Sequence, residues 1–347
     1  MKEISLIILN KKFERIGELE DYSSLIWASR YYKCGDFEVV VPIDEYHLNL
    51  LQSGYYVMRE DDDYVGIIED PEYLDNEDQS QMMVIKGRFL SSILSRRIIA
   101  VQTQLYGTVS AGVLNLINDA IIHPVVPERK ISNFMVVPTN YTERLEAQYT
   151  GKNLLSAIEG ICESNSMGFK TTLKNGIFQF QLYKGVDRSY GQDVLPHVVF
   201  SDEYDNLISS NYKEVTSSKA TNVLVAGEGQ GMERKVLWVT KDNPAGLDRY
   251  EIYQDKRNLS SNGGDITEAE YINQMKQEGM ESITNVLTAF EGNVFFDNIV
   301  YRKDVNVGDI VTIENKKWGI YVNTRIIEVI ESVNEAGEYE VIPTFGV

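Results

Sequence analysis

Asn175-Gly176 constrains this chain more than any other dipeptide in it. The pair stands between two alternating runs in FKTTLKNGIFQFQLY, residues 169–183. A two-residue turn needs positive φ at both positions, which Asn and Gly adopt readily, and its twist matches that of the flanking strands. The register follows. Leu173 falls opposite Phe178, Thr171 opposite Phe180 and Phe169 opposite Leu182, all on one face, with Gln179 and Gln181 on the other. An apolar sheet face of this kind needs a cover.

Two amphipathic segments upstream can supply it. In TVSAGVLNLINDAIIHP the residues Val113, Leu116, Ile117, Ala120 and Ile121 recur at helical spacing. Thr108 or Ser110 is placed to cap the start, and Pro124 to stop the helix. In GKNLLSAIEGICESNSMG the residues Leu154, Leu155, Ile158, Ile161 and Cys162 repeat the pattern, with Gly168 as the expected break. Residues 106–199 thus read as a small α/β unit of two helices and a hairpin.

Strands lie on either side of this unit. ISLIILN (4–10), SLIWASRYY (24–32), DFEVVVP (36–42), YYVMRE (55–60), YVGIIED (64–70) and MMVIKG (82–87) are short and closely spaced, which suggests a barrel or sandwich. Past residue 200, LISSNYKEVTSSKATNVLVAGEG and RKVLWVTKD alternate again. The chain closes on strands at 310–313 and 320–332 and a last strand after the turn at NEAG (334–337). One helix interrupts them, predicted over 265–287. Thr267 and Glu270 are spaced for a capping box, and Ala269, Ile272, Met275, Met280 and Ile283 form its stripe. The fold class is α+β, mostly β.

Composition narrows the function classes. A chain of 347 residues exceeds one ordinary core. Its net charge of −19 argues against binding a nucleic-acid backbone, which requires Lys and Arg in place of phosphate counterions. The same charge opposes an anionic membrane surface. No apolar run is long enough to span a bilayer, and the N-terminus lacks a signal-peptide pattern, so synthesis and folding in the cytoplasm are expected. Cys34 and Cys162 stand in no paired motif and are expected as free thiols.

No catalytic, cofactor-binding or metal-ligating residues are predicted. His47, His123 and His197 lie in three separate segments without partners at metal spacing. GEGQG (227–231) has neither phosphate-loop spacing and reads as a hairpin loop needing positive φ. In DDDYVGIIEDPE, Asp61, Asp63, Gly66 and Glu72 occupy positions 1, 3, 6 and 12 of a calcium loop. Val65 at position 5 offers no side-chain oxygen and the flanks are strand-like, so a charged tip between paired strands is expected. With 52 acidic residues, two carboxylates close in sequence carry no information about a hydrolase. The 21 tyrosines suit interfaces, sugar-binding surfaces and strand edges alike, and Trp27, Trp238 and Trp318 are scattered over strands.

A resemblance goes further. CGDFEVVVP (34–42), IKGRFLSSILSRRIIA (85–100), AGLDRYEIYQD (245–255), VNVGDIVTI (305–313) and EYEVIPTFG (338–346) occur in the order found in siphophage and prophage tail hub proteins, the amino-terminal structural regions of tail-associated lysins. The resemblance implies two β-barrel-like domains with an inserted small α/β domain. The expected division is 1–105 as the first barrel, completed by 200–230; 106–199 as the insert; and 231–347 as the second barrel with its helix. It implies a homotrimeric ring under a hexameric tail tube, contacting the tube or a distal tail protein and letting DNA pass without specific binding, in a virion tail tip. A separate lysin or receptor-binding protein is an expected partner, and no enzyme activity or cofactor is expected. Two alternatives stand beside this reading: a cell-wall hydrolase of the tail tip, and a receptor- or glycan-binding tail protein.

Overall fold

A computed structural model describes residues 4–75, 81–215, 218–284, 287–294 and 299–346. The first part runs β1 (Leu6–Leu9), β2 (Arg15–Leu19), β3 (Ser24–Arg30), β4 (Asp36–Pro42), helix α1 (Glu45–Leu50), β5 (Tyr56–Arg59), β6 (Val65–Asp75) and β7 (Gln81–Phe89). The middle carries β8 (Thr103–Thr108), α2 (Val109–Ile117), β9 (Phe134–Val136), β10 (Arg144–Tyr149), α3 (Leu154–Ser164), β11 (Gly168–Lys174) and β12 (Ile177–Tyr183). The last part holds β13 (Val199–Ser201), β14 (Leu207–Val215), β15 (Asn222–Ala226), β16 (Val236–Thr240), β17 (Glu251–Asp255) and α4 (Glu268–Ser282). It ends with β18 (Leu287–Val294), β19 (Ile310–Asn315), β20 (Ile320–Val333) and β21 (Tyr339–Gly346).

Strands of the two ends of the chain merge into one sheet of 13 strands, whose main path is β14-β18-β21-β20-β3-β4-β7-β6-β5-β1-β2. The seam is β20. Its first half pairs with β19, and its second half lies between β3 and β21. Each barrel-like part gives its open edge to the other, so the sheet does not close on itself among the described residues; its ends there are β14 and β2. Trp27, Phe37 and Phe89 pack under the first part, and Phe200, Phe345 and Ile313 under the second.

The hairpin register is the one the sequence dictates: Leu173 faces Phe178, Thr171 faces Phe180 and Phe169 faces Leu182. Asn175 and Gly176 take φ of 52° and 73°. Thr108, not Ser110, caps α2, accepting from the Ala111 amide, while Ser110 bonds Thr139. The helix continues as one π turn, 118–122, and ends at His123 before Pro124. All five predicted stripe residues in each of α2 and α3 are buried. The break after α3 differs: Asn165 ends the helix, Ser166 takes φ of 53°, and Gly168 opens β11. A Cβ on Gly168 would come 2.4 Å from the Tyr31 ring, so this glycine serves close packing.

Three expectations need correction. Residues 200–230 do not complete the first barrel: β14 pairs with β18, and β15 with β16 and β17 in a separate three-stranded sheet. Alternation identifies strands but not their distant partners. The helix predicted over 265–287 spans Glu268–Ser282, with both arms of the Thr267–Glu270 capping box in place, and the chain then leaves for β18. Its buried face is Tyr271, Gln274, Met275, Glu278 and Gly279; of the predicted stripe Met275 is buried, Met280 and Ile283 pack half-buried on the same core, and Ala269 is exposed. The helix packs on β15 and β16 on one side and on β10 and α3 on the other. Its polar residues therefore find partners across both contacts: Gln274 donates to Tyr106 Oη at 3.3 Å, and Glu278 pairs with Lys256.

Candidate functional site

Beside the seam lies a cleft of about 580 Å³, walled by the turn from β5 to β6 (60–64), the exit of β12 (183–186) and the segment 301–309. All three parts of the chain meet here, and acids are concentrated in it. Each acid is held. Asp61 takes two hydrogen bonds from Arg59, both 2.9 Å. Asp62 accepts from Trp27 Nε1 and Arg302, both at 2.7 Å, and Asp63 from Lys170 at 3.0 Å. Asp309 accepts from the amides of Val186 and Asn306 at 2.7 and 2.9 Å; burial nonetheless pushes its carboxyl above the usual range. Of the calcium-loop residues, Asp61 and Asp63 lie at the charged tip of the antiparallel β5–β6 pair, and Gly66 and Glu72 lie within β6.

Behind this wall the ions are buried. The Arg59 side chain is 0% and that of Glu331 1% exposed, and they share two hydrogen bonds of 3.1 Å. Arg302 donates to Glu331 Oε1 at 2.8 Å and contacts its other oxygen, while Tyr339 donates at 2.6 Å. Arg302 reaches them from a left-handed backbone, φ 68°, a conformation rare for a side chain of this size. Burial alone would raise Glu331, but the Arg302 hydrogen bond and the fields of Arg59 and Arg302 hold it below the usual carboxylate range. Burial and the Glu331 charge push the Tyr339 hydroxyl up. The chemistry of the set is mutual neutralisation: cations face anions, and the tyrosines stay protonated.

The histidines remain apart. His47 is on the buried face of α1 with Nδ1 3.0 Å from the Pro42 carbonyl, His123 follows the π turn, and His197 is 2.7 Å from the Gln192 carbonyl in a loop. Cys34 and Cys162 are free, and burial pushes the Cys34 thiol up to about 12. GEGQG is the loop from β15 to β16, with Gly229 and Gly231 at φ of 96° and 57°. Among the described residues no group of three or more His, Cys, Asp or Glu is arranged to hold a metal, and no helix is long and apolar enough to cross a membrane.

Sequence reasoning missed Arg59, Arg302 and Glu331. A signal was present: Val329, Glu331 and Val333 share one face of β20, and Val57 and Arg59 one face of β5. A charge in the apolar phase of a strand points to a buried partner.

The sequence profile of the siphovirus ReqiPepy6 Gp37-like proteins matches residues 5–347. No curated protein matches the sequence. The fold is similar to that of the tail protein from Neisseria meningitidis MC58, with TM-score 0.59 and 13% identity over 100% of this chain and 97% of that one. It is similar also to the 43 kDa tail protein of prophage MuSo2 from Shewanella oneidensis, TM-score 0.59 and 12% identity over 99% and 98%. A third likeness is to prophage tail protein gp18 from Listeria monocytogenes EGD-e, TM-score 0.55 and 13% identity over 98% and 94%. At these identities the likeness is one of fold.

Proposed function

The chain belongs to the siphovirus ReqiPepy6 Gp37-like protein family, and from that premise we propose that it is a structural component of a phage or prophage tail tip. Three copies form a hub ring that joins the hexameric tail tube to the tip and lets DNA pass. The observation that carries this reading is the likeness of fold to prophage and phage tail proteins over essentially the whole of both chains. The ring rests on the hub resemblance of the sequence. A three-fold ring is a heterologous contact that closes on itself.

The cleft supports a structural role. Glycoside hydrolysis by two carboxyls needs one protonated acid and one free base flanking the bond. Asp61, Asp62 and Asp63 are instead ion-paired to Arg59, Arg302 and Lys170. The net charge of −19 suits a collar past which DNA moves without sticking. Residues 1–105 and 231–347 supply the tube-facing parts and 106–199 the insert. The protein is made in the host cytoplasm and carried at the virion tail tip, where a separate lysin or receptor-binding protein joins it.

Immunogold labelling of purified particles of the encoding phage or prophage tests this. Label at the tail tip is expected, and absence of the protein from purified tails overturns the reading. A peptidoglycan zymogram separates the hydrolase alternative: a clearing band lost on Asp62→Asn or Asp309→Asn would replace the structural reading.

A further inference from the structure

An apolar cleft of about 420 Å³ opens between the segment 98–104, the end of α2 and the loop 123–129. Val101, Val125 and Val126 stand at it 64%, 88% and 50% exposed, a concentration of bare aliphatic surface on a highly charged chain. Its rim is basic. Arg97 donates to the carbonyls of Arg96 and Arg129, and Arg129 to that of Ile98. Among the described residues neither arginine, nor Lys130, has a carboxylate partner. Asp119 is the acid that lines the cleft, and burial, then the guanidiniums of Arg129 and Arg96, pull Arg97 down. The cleft therefore presents aliphatic walls and, beside Asp119, cations that make no ion pair among the described residues.

The same chain carries the complement. The outer half of β6 reads EDPEYLD, 69–75. It is a sheet edge: β5 accompanies β6 only along Val65–Ile67, and β7, its remaining neighbour, pairs on the far side with β4. Tyr73 and Leu74 are 57% and 37% exposed there. Asp70 and Asp75 make no ion pair among the described residues, and Glu72 has only Lys86 at 3.8 Å. This stretch runs along the sheet edge as an arm. Its root, Glu69, lies 3.9 Å from Arg96, next in sequence to the rim. Six further residues of extended strand carry Asp75 about 20 Å from that root.

We propose that the outer end of the β6 arm of one copy, Glu72 to Asp75, seats in the Val101–Val125–Val126 cleft of the next copy. Leu74 or Tyr73 fills the aliphatic walls, and the arm's carboxylates neutralise Arg97, Arg129 and Lys130. The contact is heterologous, arm to cleft, as a closing ring requires, and it rests on the ring proposed above.

Two singly substituted full-length proteins, Leu74→Cys and Val125→Cys, test it when mixed with a short bis-maleimide. A crosslinked dimer is expected in the mixture and not in either preparation alone, since the contact joins unlike residues. A second arm uses charge. Asp75→Lys and Lys130→Glu each weaken self-association in sedimentation by about tenfold or more, and the double variant recovers it. Trimers by mass without the crosslink or the charge rescue overturn the arm-to-cleft contact and leave the ring standing. No self-association up to the solubility limit, with no crosslink, overturns both.

Discussion

Arg59 and Glu331, separated by 272 positions in the chain, meet in a two-point ion pair sealed from solvent. One ends β5 and the other lies in β20, so the pair ties the first part of the chain to the last behind the β3–β20 seam. Arg302 and Asp62 extend the tie to the cleft wall.

Breaking the tie from one side takes away the buried carboxylate that faces both Arg59 and Arg302 and leaves them Asp61 and Asp62 alone. Glu331→Gln should destabilise the protein by about 3–5 kcal/mol, read as a lower denaturant midpoint at unchanged slope. A change below about 1 kcal/mol, the size of an exposed pair, would contradict the burial described above.

The same residue sets an acid limb. Because Glu331 is held lower in the fold than in the unfolded chain, it contributes stability above the unfolded value of about 4.3, lost as pH falls through the lower folded value. Denaturant midpoints taken from neutral pH downward should drop in that window. Glu331→Gln should fall less steeply there, and parallel curves would remove Glu331 from the limb.

Gly176 at φ 73° is the second turn position of the β11–β12 hairpin. Gly176→Ala should cost about 1–2 kcal/mol, seen as a lower melting temperature. An unchanged melting temperature would mean that the turn relaxes to another type.

Gly279 lies within α4, where alanine is preferred by about 1 kcal/mol. A Cβ there would come 2.5 Å from buried Val239 of β16. Overpacking of this kind costs about 1–3 kcal/mol, so Gly279→Ala should destabilise on balance. Stabilisation would show that α4 can move off β16.

What was legible in the sequence was local. The Asn175-Gly176 register, the stripes of α2 and α3 and the Thr267–Glu270 box depend on neighbours within a few residues, and each stands as read. β2 escaped notice because RIGEL offers only Ile16 and Leu19 among charges and a glycine. The outer half of β6, beyond Asp70, was missed because there it is an edge strand with β7 as its one neighbour and mostly exposed side chains, so no core demands alternation. Sheet partners were hidden for a different reason. Arg30 and Glu328 are 298 positions apart, and nothing in either segment names the other. Gln274 and Glu278 were missed from the buried face of α4 because their partners, Tyr106 and Lys256, are brought there only by the fold.

Cryo-electron microscopy of the full chain assembled with its tube protein tests the central claim most directly. The account predicts a three-fold collar of this protein, seated on a six-fold tube, with an open axial channel. A single copy per tail, or a collar without a through-channel, would contradict it.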